Sequence, residues 1–142
     1  MSDWTYGIAI GREGLDYVVS VRDLPEVVTS GSNLQEALDL AADAIEVAVA
    51  GRMDDDMALP RPSPLQEGEH AILLSAPIAA KASVYSAWKT AGLTKTELAR
   101  RLNRNEAEIR RLLNPRHGTK LDQLDEAARA LGGRLSVTFE EQ

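Results

Sequence analysis

The sequence predicts an α+β protein of two domains, a β-β-β-α-β domain over residues 1–76 and a helical domain with a short C-terminal strand over residues 77–142. Alternating apolar residues near the N-terminus predict the strands, and capped amphipathic segments in the second half predict the helices. The charge also divides the chain: residues 1–70 have a net charge of −10, residues 71–142 of +4, and all 142 residues together of −6. Such opposite charges indicate that the two halves bind different partners.

Residues 4–30 predict three strands. Apolar residues alternate with small or polar ones in two runs, Trp4, Tyr6, Ile8 and Ile10 and then Leu15, Tyr17, Val19 and Val21. A turn at residues 11–14 separates the two runs, so we expect a β-hairpin with one buried face. Asp23-Leu24-Pro25 then breaks the alternation, and residues 27–30 predict a short third strand.

A helix and a fourth strand follow. Ser32 and Gln35 form a capping box, and Gly51 marks the end of the helix, which can also continue through Met53. The predicted inner face consists of Leu34, Ala37, Leu38, Ala41, Ile45 and Ala48, and the acidic outer face of Glu36, Asp39, Asp43 and Glu46. Residues 52–69 contain three prolines and predict a long surface connection. Residues 70–74 predict a strand that returns to the sheet.

Two short helices joined by a tight turn are predicted at residues 94–113. Capping boxes start them, one formed by Thr94 with Glu97 and the other by Asn105 with Glu108. The first helix must therefore end near Leu102, which leaves Asn103 and Arg104 for the turn. Asparagine is one of the few residues besides glycine that adopts a left-handed conformation without a large penalty.

Further elements flank this helix pair. A helix from Pro77 to Gly92 precedes it, and a helix that begins at a cap formed by Thr119 with Asp122 follows it and ends near Gly132. Residues 134–139 then alternate, with Leu135, Val137 and Phe139 as the apolar positions, and predict a terminal strand. A single strand needs a partner, which the same strand of a second subunit could supply.

The layout and charge of residues 81–120 are typical of a DNA-reading helix-turn-helix. This stretch carries ten Lys or Arg against three acidic residues, a local balance of +7. A basic segment within an acidic protein is what a phosphate-contacting surface requires. A solvated helical pair with no role in DNA binding is the alternative interpretation.

The known docking of such motifs assigns candidate DNA contacts. The start of the second helix faces base edges in the major groove, and the candidate base-reading residues there are Asn105, Glu106, Ala107, Arg110 and Arg111. The candidate phosphate contacts lie around the motif and are Lys95, Thr96, Arg104, Arg116, His117 and Lys120. One copy reads few bases, so we expect a homodimer or a higher even oligomer on a two-fold operator DNA.

The composition limits other functions. The chain has no cysteine, and His70 and His117 lie far apart without metal-ligand companions, so we expect no catalytic residue, metal or cofactor. The enzyme alternative is a nuclease-like sheet in which magnesium is held by Asp16, Asp23 and the acids at residues 54–56.

The first residues lack a signal-peptide pattern and no window is apolar enough to span a membrane. We therefore expect a cytoplasmic protein that does not associate with membranes.

Nearly the whole chain resembles the HicB family of type II antitoxins, in the variant with a Cro/repressor-type helix-turn-helix. The resemblance rests on residues 17–21, the Asp23-Leu24-Pro25 turn, the helix over residues 32–48, Pro60-Arg61-Pro62-Ser63, and residues 98–102 and 114–122. The sequence departs from the family at Glu26 and Asn103, where glycine is frequent, and at Arg104, where an apolar residue is usual.

This resemblance implies a fold and partners. It implies that residues 1–76 form a degenerate RNase H-like domain without nuclease activity. The implied partner is HicA, a small basic toxin that cleaves RNA, and the implied toxin-binding residues are Asp39, Asp43 and Glu46, together with the edge of the sheet. The helix-turn-helix would then repress the operon that encodes both proteins. A stand-alone transcriptional regulator, whose first domain senses a ligand or another partner, is the alternative.

Overall fold

The computed structural model describes residues 4–141, and the chain divides into two compact units, residues 1–76 and 77–142. Unit 1 contains strands β1 (Thr5–Glu13), β2 (Asp16–Val21) and β3 (Val28–Gly31), helix α1 (Leu34–Asp54) and strand β4 (His70–Leu73). The remaining helices are α2 (Ala76–Ala91), α3 (Lys95–Leu102), α4 (Glu106–Leu113) and α5 (Leu121–Ala130). The prediction of an α+β chain, a sheet followed by helices, is confirmed. Residues 1–3 and 142 of the predicted domains lie outside the described residues.

Unit 1 is built on a four-stranded antiparallel sheet with the strand order β3-β2-β1-β4. Ile8 lies opposite Val21 and Ile10 opposite Val19, so the alternation in the sequence brings these side chains to one face. Ile8, Val19 and Val21 are at most 2% exposed, and α1 packs against β2, β3 and β4. The sheet and the helix thus share one core.

The hairpin turn begins three residues later than predicted. β1 continues through Glu13, which lies opposite Asp16 in the antiparallel ladder, and the turn is formed by Gly14 and Leu15. Gly14 has a φ of +63°, a conformation that favours glycine. The predicted turn at residues 11–14 is therefore wrong, and Leu15, predicted to be buried, is 85% exposed because it lies in the turn.

The start of α1 is shifted by one residue from the predicted cap. Asn33 Oδ1 accepts a hydrogen bond from the Glu36 N–H at 2.8 Å, and the Ser32 N–H donates to the Glu36 carboxylate at 3.0 Å. The predicted box of Ser32 with Gln35 is thus wrong. A carboxylate in the first turn interacts favourably with the positive end of the helix dipole, which favours Glu36 over Gln35 as the capping residue.

The buried face of α1 also extends further than predicted. Its buried residues are Ala37, Ala41, Ile45, Val49, Ala50 and Met53. The helix runs past Gly51 to Asp54, whereas Leu34 is 42% exposed and does not belong to the inner face. The start of α1 also lies close to β3. A Cβ on Gly31 would lie 2.6 Å from the Ala37 backbone nitrogen, so β3 and α1 touch through their backbones.

The connection between α1 and β4 is bound to the rest of unit 1. Asp23 accepts hydrogen bonds from the Ser63 N–H at 2.8 Å and from the Ser63 hydroxyl at 2.6 Å. Arg22 pairs with Glu69 at 2.9 Å. A Cβ on Gly7 would lie 2.5 Å from the Glu69 carboxylate, so this glycine provides room for the connection. The predicted connection is present at the predicted position, but the hydrogen bonds between Ser63 and Asp23 bind its middle to the rest of unit 1.

The four helices of unit 2 enclose a separate apolar core, to which Val84, Tyr85, Leu98, Ile109 and Leu124 each contribute a side chain at most 3% exposed. The capping box of Thr94 with Glu97 is present with both of its hydrogen bonds, and α3 ends at Leu102, as predicted. Asn103 has a φ of +53°, which confirms the predicted left-handed turn residue.

Two predictions in unit 2 are wrong. Residues 134–139 do not form a strand in the described part of the chain. A strand requires a neighbour for its backbone groups, and Val137 and Phe139 are 82% and 89% exposed. The α5 cap also differs, because its N-cap residue is Lys120, without a side-chain hydrogen bond. The Thr119 hydroxyl instead accepts a hydrogen bond from Lys81 at 2.5 Å.

Candidate nucleic-acid and protein interfaces

Three of the candidate DNA-contacting residues form one hydrogen-bonded chain. The Thr96 hydroxyl, in α3, donates to the Glu106 carboxylate at 3.3 Å. The same carboxylate pairs with the Arg110 guanidinium at 3.1 Å, one turn further along α4. Both side chains of this ion pair are more than half exposed. The first turn of α3 and two successive turns of α4 therefore present Thr96, Glu106 and Arg110 on one solvent-facing surface.

Asn105 is the N-cap residue of α4. Its Oδ1 accepts a hydrogen bond from the Glu108 N–H at 2.8 Å, which satisfies one of the unpaired donors at the helix start. The Glu108 carboxylate binds Arg104 at 3.1 Å, so the predicted reciprocal capping box is only half formed. Ala107, a candidate base contact, is half-buried, and Arg111 is exposed.

Arg104 forms ion pairs with acidic residues other than Glu106. Its guanidinium binds Glu108 at 3.1 Å and Glu126, in α5, at 3.2 Å. The side chain is 30% exposed. Arg104 thereby links the turn after α3 to both α4 and α5, and its phosphate contact stays a prediction.

The start of α3 carries another candidate phosphate contact, Lys95. Its Nζ lies 5.8 Å from the centroid of the Trp88 ring, and Lys89 Nζ lies 5.6 Å from the same centroid. Two ammonium groups therefore flank one buried indole, a favourable arrangement for a cation near an aromatic face. Hydrogen bonds from the Thr94 backbone and side chain lower the pKa of Glu97, the acid of the adjoining capping box.

The segment between α4 and α5, residues 114–120, carries the remaining candidates. Arg116, His117 and Lys120 are all exposed. Asn114 Oδ1 accepts a hydrogen bond from the Arg116 N–H at 2.9 Å, and His117 Nδ1 lies 3.0 Å from the Thr119 hydroxyl. We call this segment the α4–α5 loop.

Lys81 is buried beneath the α4–α5 loop. It is 3% exposed, and its Nζ donates to the Arg111 carbonyl at 2.9 Å, the Leu112 carbonyl at 2.8 Å and the Thr119 hydroxyl at 2.5 Å. Burial lowers the pKa of Lys81 to about 8. In the sequence, Lys81 is recognisable only as one positive charge of a basic stretch. A usable signal was its helical spacing from Val84, Tyr85 and Trp88, which places it on the buried face of α2.

The acidic candidates Asp39, Asp43 and Glu46 lie at helical spacing on α1. Asp39 accepts a hydrogen bond from Gln35 at 2.9 Å, and Glu46 accepts one from Ser75 at 3.0 Å. Asp39 and Asp43 are exposed, and Glu46 is half-buried. Two apolar residues of the same helix, Leu40 and Val47, are 38% and 70% exposed. The surface thus combines negative charge with exposed apolar area, and we call these five residues the acidic α1 surface.

A shallow groove lies across β1, β2 and β3, next to the β3 edge of the sheet. It has a volume of about 600 Å³ and is lined by residues that include Glu13, Asp16, Val18 and Val28. β3 pairs with β2 along one side, and the sheet order places its other side at the edge. Val28 on this edge is 72% exposed.

The residues considered for a magnesium site do not converge. Within residues 4–141, no group of three or more His, Asp or Glu side chains is arranged to hold a metal ion. Asp23 binds Ser63 and Arg22, with Arg22 at 3.6 Å.

The described helices also include none that is long and apolar enough to cross a membrane.

Comparisons with known proteins identify the family. A sequence model described as "HicB_like antitoxin of bacterial toxin-antitoxin system" matches residues 6–83. Antitoxin HicB of Escherichia coli is 39% identical over 123 residues, which cover 87% of this chain and 89% of the relative. Antitoxin HicB 1 of Photorhabdus laumondii is 34% identical over 124 residues, with coverages of 87% and 79%. Antitoxin HicB of Pseudomonas fluorescens is 32% identical over 136 residues, with coverages of 95% and 93%. The chain therefore belongs to the HicB-like antitoxin family of bacterial toxin–antitoxin systems.

Proposed function

We propose that this chain is the antitoxin of a HicAB-type system that masks a small basic RNA-cleaving toxin, a HicA-like protein, and represses its own operon by sequence-specific DNA binding. Family membership carries the proposal. The charge division between an acidic first half and a basic second half supports two separate binding surfaces. In this proposal unit 1 is a degenerate RNase H-like domain that binds protein and has no catalytic role.

The acidic α1 surface is the proposed toxin contact. Asp39 and Asp43 would attract a basic partner and raise its rate of association, because opposite charges steer encounter. Leu40 and Val47 supply the exposed apolar area from which most binding free energy comes. The open edge at β3 offers a second surface, where a strand of the toxin could add to the sheet.

The proposed DNA contact is a helix-turn-helix formed by α3 and α4. Glu106 lies in the first turn of α4, where a recognition helix meets base edges, and Arg110 lies one turn later and pairs with it. In the free protein their side chains bind each other. A guanine that accepts two hydrogen bonds from Arg110 would replace that exposed ion pair, which contributes little to stability. Lys95, at the start of α3, and the α4–α5 loop would bind phosphates on either side.

A homodimer would place two such surfaces on two-fold DNA, and residues 134–140 can form its interface. Antiparallel pairing of two copies centred on Val137 puts Arg134 opposite Glu140 and Leu135 opposite Phe139. The apolar side chains then share one face, and the charged pair has opposite signs. This self-complementarity supports a second copy of the chain as the strand partner of this segment.

The proposal can be tested by co-expression with the neighbouring small reading frame. Growth, cellular RNA integrity and co-purification are measured for the wild type and for the double variant Asp39→Lys/Asp43→Lys. The matched control is Asp55→Lys/Glu67→Lys, which makes the same charge change at two exposed positions away from the acidic α1 surface.

We expect the neighbour alone to stop growth and degrade RNA, and the wild type and the control to restore both. The α1 double variant should lose co-purification and protection by at least tenfold while it still binds the promoter. Equal protection by all three proteins would place the toxin contact elsewhere, at the β3 edge. A harmless neighbour combined with promoter binding would favour the stand-alone regulator.

A further inference from the structure

We propose that Lys81 is a positioning residue of the DNA-binding surface: its buried ammonium group joins the C-terminal end of α4 to the α4–α5 loop and thereby sets the phosphate contacts that this loop makes. The part of the inference that concerns DNA rests on the proposed function. Lys81 itself is 3% exposed and does not reach the surface.

The hydrogen bonds of Lys81 use every donor that an ammonium group has. Two go to the carbonyl oxygens of Arg111 and Leu112, in the last turn of α4, and the third goes to the Thr119 hydroxyl. The last carbonyls of a helix have no partner within the helix and form the negative end of its dipole. A cation at this place therefore stabilises the end of α4 and holds it against α2.

The Thr119 contact carries this constraint into the loop. The Thr119 hydroxyl lies 3.0 Å from His117 Nδ1, and the Thr119 N–H donates to the His117 carbonyl at 2.9 Å. The His117 N–H in turn donates to the Asn114 carbonyl at 3.2 Å. A continuous series of hydrogen bonds thus runs from Lys81 to His117, and it spans the segment from which Arg116 and Lys120 project.

The chemistry of the site argues for positioning rather than for stability. All three acceptors of the ammonium group are uncharged oxygens, so no carboxylate offsets the cost of burying the charge. The lowered pKa of Lys81 reflects this cost. Lys81 has no charged partner that its removal would leave buried and unpaired, unlike a residue of a buried ion pair. Methionine has a similar length and removes the cost of the buried charge, at the loss of the hydrogen bonds to the end of α4 and to Thr119. Lys81→Met should therefore keep unit 2 folded while it releases the loop.

The test uses the full-length protein and a duplex that spans the promoter of its own operon. Binding constants are measured by fluorescence anisotropy from 50 to 300 mM salt for the wild type, Lys81→Met and Val84→Ala. Val84 is the matched control, because it is 1% exposed on the same face of α2 and its truncation costs packing, while its side chain has no hydrogen-bonding group that could bind the loop.

We expect Lys81→Met to weaken binding at least tenfold and to lower the slope of log K against log salt by about two per bound chain, since each phosphate contact contributes about 0.9 and Arg116 and Lys120 would both lose theirs. Val84→Ala should leave the slope unchanged. A slope that is unchanged in Lys81→Met would overturn the positioning role, because a side chain that is merely structural does not alter the number of ions released.

A second measurement does not depend on DNA. Amide hydrogen exchange at Thr119 and His117 should be at least tenfold faster in Lys81→Met, with the amides of α3 unchanged. Native exchange in the loop would overturn the inference whether or not DNA binds. If the wild type does not bind the duplex, both the proposed DNA-binding function and the DNA part of this inference are wrong. Amide hydrogen exchange still shows whether Lys81 orders the loop. If Lys81→Met does not fold, Thr119→Val, which keeps the lysine and removes its hydroxyl acceptor, takes its place in both measurements.

Discussion

Ser63 donates two hydrogen bonds to the carboxylate of Asp23, which lies 40 residues earlier in the chain. One comes from its backbone N–H and the other from its hydroxyl, so a single serine binds both carboxylate oxygens. Arg22 also binds the Ser63 hydroxyl and pairs with Glu69. The turn after β2 and the connection before β4 therefore form one polar network that holds unit 1 together.

We expect Asp23→Ala to lower the free energy of unfolding by about 1–3 kcal/mol, because the Ser63 donors lose their acceptor in a partly buried site. Chemical denaturation at pH 7 measures this. The control is Glu67→Gln, at an exposed position of the same connection. Equal stability of Asp23→Ala and the wild type would show that the network contributes nothing.

The same pair predicts a pH dependence. Burial tends to raise the pKa of Asp23, but the hydrogen bonds from Ser63 and the charge of Arg22 outweigh it and hold the pKa below its ordinary value. A carboxylate with a lowered pKa stabilises the folded state above the pKa of the unfolded chain, about 3.9, and loses this effect as the pH falls through the folded value. The stability difference between the wild type and Asp23→Ala should therefore be constant from pH 5 to 7 and shrink below about pH 4.

Gly31→Ala should destabilise unit 1, whereas Gly11→Ala should not. A Cβ at Gly31 would lie 2.6 Å from the Ala37 backbone nitrogen, so the start of α1 would have to move, at a cost of about 1–3 kcal/mol. A Cβ at Gly11 would meet nothing within 4 Å. Thermal unfolding of both variants decides the matter, and equal melting temperatures would contradict the close contact.

Arg110→Ala should weaken operator binding by about 1–3 kcal/mol and relax the preference at one base pair. Arg129→Ala is the matched control, because Arg129 is likewise exposed and forms the same kind of i,i+4 ion pair, with Asp125. Selection from a randomised duplex library reads the preference. If Arg110→Ala selects the same sequence as Arg129→Ala, Arg110 does not read a base.

Lys95→Gln should weaken all DNA sequences alike and lower the salt slope by about one per bound chain, as expected for a phosphate contact. Lys89→Gln makes the same charge change beside the same Trp88 ring and should leave the slope unchanged. Anisotropy titrations on specific and scrambled duplexes supply both quantities. A changed sequence preference without a changed slope would assign Lys95 to a base instead.

Val137→Glu should convert the proposed dimer to monomers. In the antiparallel register, position 137 of one copy lies opposite position 137 of the other, so the substitution would place two carboxylates next to each other. Ser136→Glu adds the same charge opposite Thr138 and should leave the dimer intact. Light scattering across a concentration series distinguishes the two masses. A dimeric Val137→Glu protein would place the interface elsewhere.

The elements that the sequence predicted well depend on local interactions. The cap at Thr94 and the left-handed Asn103 lie within a few residues of their partners, so their patterns are complete in a short stretch of sequence. Local patterns can also be ambiguous. Ser32 with Gln35 and Asn33 with Glu36 have the same spacing, and only the structure shows that the second pair is used.

The features that the sequence did not reveal depend on distant residues. Asp23 meets Ser63 and Lys81 meets Thr119 across 40 and 38 residues, and no periodicity encodes such a pairing. The alternation at residues 134–139 predicts a strand, but a strand forms only when another strand is present. Among the candidate site residues, Thr96, Glu106 and Arg110 come together, whereas their DNA contacts stay predictions.

The anchoring of Ser63 also determines where unit 1 can accept foreign sequence. Because Asp23 fixes the connection at its middle, the connection consists of two short loops, and lengthening a free loop costs only about 0.6 kcal/mol per doubling. Ala58 is exposed, between the capped end of α1 and the buried Leu59. An affinity tag or a fluorescent reporter can therefore be inserted at Ala58, which would provide a labelled antitoxin without altering either terminus.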